Sequence, residues 1–160
     1  MCIRDSVWIN PENYASDKGF QTVQALYAIG SGGLFGKGLG KSLQKLGYIP
    51  ESQNDMIFSI ICEEIGLFGA IFVIIVFGVM LWRIAHVAQN APDLFGTLLV
   101  SGVFAHIAIQ VVLNIAVVTN FIPNTGVSLP FISYGGTSET ILLAEIGLVL
   151  NVSSKIRLES

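Results

Sequence analysis

Tyr48-Ile-Pro50-Glu51-Ser52-Gln-Asn54-Asp55-Met56-Ile-Phe-Ser-Ile-Ile-Cys62-Glu63-Glu64 is the stretch that decides the fold. A glycine-rich, lysine-bearing segment ends at Pro50, and a long apolar run begins at Met56. The run continues to Arg83 with Glu63-Glu64 as its interior charges. A membrane-spanning helix needs roughly 20 such residues. Four of the 11 acidic residues stand between Glu51 and Glu64. Carboxylates at the mouth of an apolar helix are costly to keep there without a purpose.

Composition agrees with a membrane setting. Hydrophobic residues make up 52% of the 160 and charged residues 12%, with mean hydropathy +0.70. Soluble domains carry roughly 25% charged residues, so an ordinary soluble domain is excluded. The net charge of -3 comes without a basic cluster, which argues against a nucleic-acid partner. Cys2 and Cys62 lack the paired spacings of a disulfide framework or zinc site, and Cys62 reads as a small buried hydrophobe. The N-terminus lacks the basic region and apolar core of a signal peptide. Met1 to Ser6 fits nothing after it, so the chain reads as the C-terminal fragment of a larger protein with a foreign start.

Upstream of the junction, Ser16 or Asp17 can cap a short helix with Phe20, Val23, Leu26 and Tyr27 on one side. Such a helix is too short to span and is expected to lie in the interface. Gly30 to Ser42 ends like a phosphate-binding loop, but Phe35 stands where the first glycine is required. Its glycines instead predict tight turns and close backbone approach. Lys37, Lys41 and Lys45 are four apart, so a helix through them would align three ammonium groups. They form either a solvated face beside lipid headgroups or a cationic contact to a phosphorylated lipid.

Downstream, Phe95 to Val118 is a second apolar span, and a third begins near Thr137. The expected fold is all-α: a polytopic membrane protein with spans at 56–83, 95–118 and 137–153. An extracytoplasmic loop, residues 1–55, precedes them with short amphipathic helices. Near the span ends, Lys45 stands on one side against Arg83, Lys155 and Arg157 on the other. This places residues 1–55 outside and the C-terminus in the cytoplasm.

Several polar residues sit in or beside these runs. Glu51 and Asp55 are four apart, Ser52-x-x-Asp55 has the form of a capping box, and the helix dipole favours a carboxylate there. Capping and chemistry both fit. At least one of Glu63 and Glu64 should face the interior, paired with a donor from another helix. His106, Gln110 and Asn114 form a polar stripe that either bonds helices together or lines a cavity. No partner at ligand spacing makes His106 a metal ligand. Ser138 and Glu145 share a face just after Gly135-Gly136, and such loosened helix starts often border binding sites.

Gly30-Ser-Gly-Gly-Leu-Phe-Gly-Lys-Gly-Leu-Gly40, Ile49-Pro-Glu-Ser-Gln-Asn-Asp-Met-Ile-Phe58, Glu63-Glu-Ile-Gly-Leu-Phe-Gly69 and Pro123-Asn-Thr-Gly-Val-Ser-Leu-Pro-Phe-Ile-Ser-Tyr-Gly-Gly-Thr-Ser138 resemble the motifs of the SEDS family (shape, elongation, division and sporulation). The resemblance covers about residues 8–157 and favours the division and sporulation branches over elongation. It implies a ten-span enzyme polymerising lipid II into glycan strands, of which this chain holds the large outer loop and the last three spans. The family's essential aspartate falls on Asp55 and its acidic neighbour on Glu51. Three departures stand out: Gln53-Asn54 replaces a common His-Thr, Glu139 occupies a usually apolar place, and the first seven spans are missing. The fragment alone is therefore not expected to turn over.

The implied reaction is glycosyl transfer with inversion, Asp55 acting as general base on the acceptor hydroxyl. Glu51 would position the acceptor or a cation, and Lys37, Lys41 or Lys45 would offset charge on the leaving pyrophosphate. Ser138 is a further substrate-side candidate. A divalent cation could serve the same role, but no ligand set demands one. The implied partners are lipid II, the growing glycan strand, a class B penicillin-binding protein and other division proteins, at the bacterial cytoplasmic membrane. Two rivals stand beside this: a lipid II flippase using His106, Gln110, Asn114 and Glu63, and a scaffold for the transpeptidase without chemistry of its own.

Overall fold

The computed structural model describes residues 20–38, 56–123 and 125–156. They form four helices, α1 (Phe20–Gly32), α2 (Ile57–Gln89), α3 (Leu94–Val118) and α4 (Gly136–Ser154), and no strand. Glu51, Asp55, Lys41 and Lys45 lie outside the described residues. α2 is the centre of the arrangement, packing against α1 on one side and α3 on the other, while α4 joins chiefly through α3.

The packing follows from heptad-like spacing. On α2, Ala70, Phe77, Ile84 and Ala88 are buried; on α3, Val100, Val103, Ile107, Val111 and Val118 are. Seven-, four- and three-residue steps keep each set on one face, which lets two long helices interdigitate along their length. The opposite faces are equally apolar but exposed, with Phe72, Trp82, Leu98 and Val112 among them. A helix apolar all round and buried on one side only belongs in lipid or against further spans. α2 and α3 are both long and apolar enough to cross a membrane.

Three details depart from the sequence reading. α2 runs past Arg83 to Gln89, because leaving hydrocarbon does not end a helix. It stops where Asn90 donates to the His86 carbonyl from its backbone N–H (3.2 Å) and from its side chain (2.8 Å), just before Pro92. α4 is helical over the region of the third expected span, and its 19 residues reach roughly 28 Å. Yet it is not among the helices apolar enough to cross by composition, since it carries Glu139, Glu145 and Asn151. α1 buries Ala25 and Ala28 against α2 and leaves Tyr27 62% exposed, with Ile29 partly buried beside them, so its most buried contact is made by small residues.

α3 ends in a Schellman turn. The Phe121 N–H donates to the Ala116 carbonyl at 2.8 Å and the Asn120 N–H to Val117 at 2.9 Å, with Asn120 left-handed at φ 57. Asn120→Gly is therefore expected to preserve stability in the full-length protein, whereas Asn120→Val lowers it by about 1–2 kcal/mol. Thermal unfolding in detergent checks this; equal losses would show that the Asn120 side chain, not the backbone, holds the turn.

Candidate functional site

The N-terminal part of α2 is not a continuous helix. Gly66 breaks it at φ 78 and ψ -164, a backbone conformation essentially confined to glycine. A break of this kind frees carbonyls before it and an N–H after it, and in hydrocarbon such groups cannot turn to water. The turn following α1 supplies the missing partners. The Lys37 N–H donates to the Glu63 carbonyl at 2.9 Å and the Gly38 N–H to the Glu64 carbonyl at 3.0 Å. In return, the Leu67 N–H donates to the Gly33 carbonyl at 3.0 Å.

This approach is backbone against backbone. A Cβ on Gly36 would overlap the Glu64 carbonyl, and one on Gly66 would overlap the Gly36 nitrogen and the Leu34 carbonyl. Both glycines also have positive φ, so the close approach and the conformation exclude other residues together. Phe35 reaches past the break, its ring centroid 5.5 Å from that of Phe68.

Side chains reinforce the same contact. Glu63 is fully buried, and its Oε1 accepts from Lys37 Nζ at 2.9 Å, with the ammonium side chain 35% exposed. The Ser31 hydroxyl of α1 stands 3.4 Å from the same oxygen and 3.2 Å from the Ala28 carbonyl. The interior pairing expected of Glu63 or Glu64 is thus made by Glu63, although the cation comes from a turn and not from a spanning helix. Lys37 lies outside any helix, so the three-lysine helical stripe does not begin there. Glu64 is half-buried, with one carboxylate oxygen buried and without a hydrogen-bond partner among the described residues.

The polar stripe of α3 bonds internally. His106 Nδ1 lies 3.0 Å from both carboxylate oxygens of Glu145 on α4. Gln110 donates to the Ser128 carbonyl at 3.2 Å and Asn114 to the Val127 carbonyl at 2.7 Å. These bonds fix the 127–133 segment, where Phe131 is left-handed at φ 63. Ser133 closes the turn, its hydroxyl oxygen accepting from the Leu129 N–H at 2.8 Å and its own N–H donating to the Leu129 carbonyl at 3.1 Å. Interhelical bonding, the first of the two readings of the stripe, describes His106, whereas Gln110 and Asn114 bond the non-helical segment that follows α3, with Gln110 Oε1 buried and without a partner among the described residues. Ser138 is half-buried in the first turn of α4.

Met56 is the N-cap of α2, and no side-chain hydrogen bond caps that end. Ser52, one half of the suggested capping box, lies outside the described residues. Asp55 immediately precedes the cap in sequence and, like Glu51, lies outside the described residues. Among the described residues, no three His, Cys, Asp or Glu side chains are grouped to hold a metal ion. Sequence reasoning missed the Gly66 break and the part played by Ser31. The signal for the break was present as Glu63-Glu64-Ile-Gly66, a polar pair and a glycine inside an apolar run.

Gly66→Ala is expected to destabilise the full-length protein by about 3 kcal/mol or more, combining a forbidden conformation with steric overlap. Gly78→Ala meets nothing within 4 Å and is expected to be neutral or stabilising by up to about 1 kcal/mol. Thermal unfolding of the two variants side by side checks the contrast.

The sequence profile of the cell cycle protein family of FtsW, RodA and SpoVE matches residues 3–158. The chain is 50% identical over 150 residues to stage V sporulation protein E of Bacillus subtilis, covering 94% of this chain and 41% of that protein. It is 46% identical over 148 residues to the probable peptidoglycan glycosyltransferase FtsW of the same organism, covering 92% and 37%. The chain thus spans about two fifths of the length of these relatives. Among solved structures, a chain of a peptidoglycan synthase complex superposes with a TM-score of 0.76 at 28% identity, covering 98% of this chain and 42% of that one. The rod shape determining protein RodA of Thermus thermophilus, in an aspartate-to-alanine mutant, gives 0.64 at 35% identity, covering 86% and 41%. Sequence match and all-helical fold agree: the chain belongs to the SEDS family of FtsW, RodA and SpoVE.

Proposed function

We propose that this chain is the outer acidic loop and last spans of a peptidoglycan glycosyltransferase that polymerises lipid II during cell division. In this reading residues 1–55 are extracytoplasmic, the C-terminus is cytoplasmic, and a class B penicillin-binding protein is the transpeptidase partner. Asp55 acts as general base on the acceptor hydroxyl, with Glu51 positioning the acceptor or a divalent cation. Lipid pyrophosphate leaves from the donor sugar as the acceptor oxygen attacks with inversion.

The observation that carries the reading is how the acidic residues of the junction divide. Glu63 is fully buried and ion-paired, which gives it a structural role. Glu51 and Asp55 stand in sequence just ahead of the start of α2, the positive end of its dipole. An ionised carboxylate near neutral pH is favoured there, as a general base requires. The resemblance independently singles out the same two residues, and the relatives named as probable peptidoglycan glycosyltransferases match across the region.

The flippase alternative drew on His106, Gln110, Asn114 and Glu63. Each of these makes an internal bond: to Glu145, to the Ser128 and Val127 carbonyls, and to Lys37. These bonds favour a structural role for the four residues.

Asp55→Asn in the full-length protein is expected to lower lipid II polymerisation by about 100-fold or more, the usual range for loss of a general base. Membrane insertion and transpeptidase binding should be unchanged. Full polymerisation by the variant contradicts the assignment, and a loss confined to lipid translocation supports the flippase.

A further inference from the structure

We propose that Lys37 and Glu63 form a positioning clamp for the acidic segment, and that Lys37 does not contact substrate. The proposal rests on the glycosyltransferase reading above. It starts from a double attachment. Glu63 holds Lys37 twice, its carbonyl accepting the Lys37 backbone N–H at 2.9 Å and its carboxylate accepting Lys37 Nζ at 2.9 Å. Both bonds involve the same two residues, so the side-chain pair and the backbone repair of the Gly66 break reinforce each other.

The location gives the clamp its consequence. Residues 39–55 are tied at one end to Gly38, whose N–H donates to the Glu64 carbonyl at 3.0 Å. At the other end they meet Met56, which is 2% exposed and begins α2. Both attachments therefore fall on the outer turns of one helix, and Lys37 adjoins the first of them. Glu51 and Asp55 fall in sequence between these two attachments, and in the proposal the clamp acts on them through the first.

The alternative is that Lys37 neutralises the leaving pyrophosphate directly. Against it, the ammonium is already engaged by a carboxylate with no solvent exposure. A phosphate that took the lysine away would leave the buried Glu63 without this cation, an exchange that desolvation opposes. A positioning role needs no such exchange.

The test is lipid II polymerisation by the full-length protein, with kcat and KM measured for Lys37→Met, Glu63→Gln, the double variant and Lys37→Arg. Each single neutral substitution is expected to lower kcat by about tenfold, with KM held within about twofold. The double variant should be no slower than either single one, the coupling expected of residues acting as a unit. Lys37→Arg keeps a cation for Glu63 and should hold kcat within about threefold, which keeps the test informative if a neutral variant fails to fold. A raised KM for Lys37→Met with additive losses in the double variant overturns the clamp in favour of substrate contact. So does a folded Lys37→Arg as slow as Lys37→Met, or a Glu63→Gln at the wild-type rate. Asp55→Asn assayed alongside separates the two levels. If it is active, the underlying reading fails; if it is inactive while Lys37→Met is fully active, the clamp alone fails.

Discussion

Backbone groups in hydrocarbon have no water to turn to, so a break inside a spanning helix must be repaired by protein. At Gly66 the repair comes from the turn after α1, through the Lys37, Gly38 and Leu67 amides and the Glu63, Glu64 and Gly33 carbonyls. Much of the structure around the start of α2 follows from this exchange. It requires glycine at positions 36 and 66, because any Cβ would enter the opposing backbone. It brings Lys37 within reach of Glu63, which makes burial of that carboxylate tolerable. It also sets α1 on α2 through Ala25, Ala28 and Gly32, residues small enough for the helices to approach closely.

A second network fixes the segment at residues 127–133. His106, Gln110 and Asn114 rise along one face of α3, and each secures a different neighbour. His106 attaches α4 through Glu145, which supplies cohesion to a helix less apolar than its companions. Gln110 and Asn114 hold the carbonyls of Ser128 and Val127, so the turn carrying left-handed Phe131 is held from below and closed by Ser133. Polar residues inside the bundle thus serve its architecture, while the carboxylates ahead of α2 remain for chemistry in the proposed reading.

The sequence was most legible where a single physical rule governs. Run length and apolarity identified α2 and α3 because hydrocarbon admits little else. The close approach of the glycine loop was also foreseeable, but not its partner, since contact between residues 33–38 and 63–67 leaves no periodic trace. The helix break was hidden by the apolar run around it, although Gly66 and the adjacent glutamates marked the place. On α1 the large apolar residues did not point to the contact at Ala25 and Ala28, because close helix packing selects alanine and glycine, which carry little weight in a hydrophobic pattern. The family motifs pointed to Asp55 where local residues left capping and catalysis equally open.

The account stands on the docking of the glycine turn against the broken helix. Amide hydrogen exchange of the full-length protein in a lipid nanodisc tests it most directly, because the three amides that make the repair are known. The Lys37, Gly38 and Leu67 N–H groups should exchange slowly, at rates comparable to the buried middle of α2. Rapid exchange at Lys37 and Gly38, as in a solvated loop, would contradict the account.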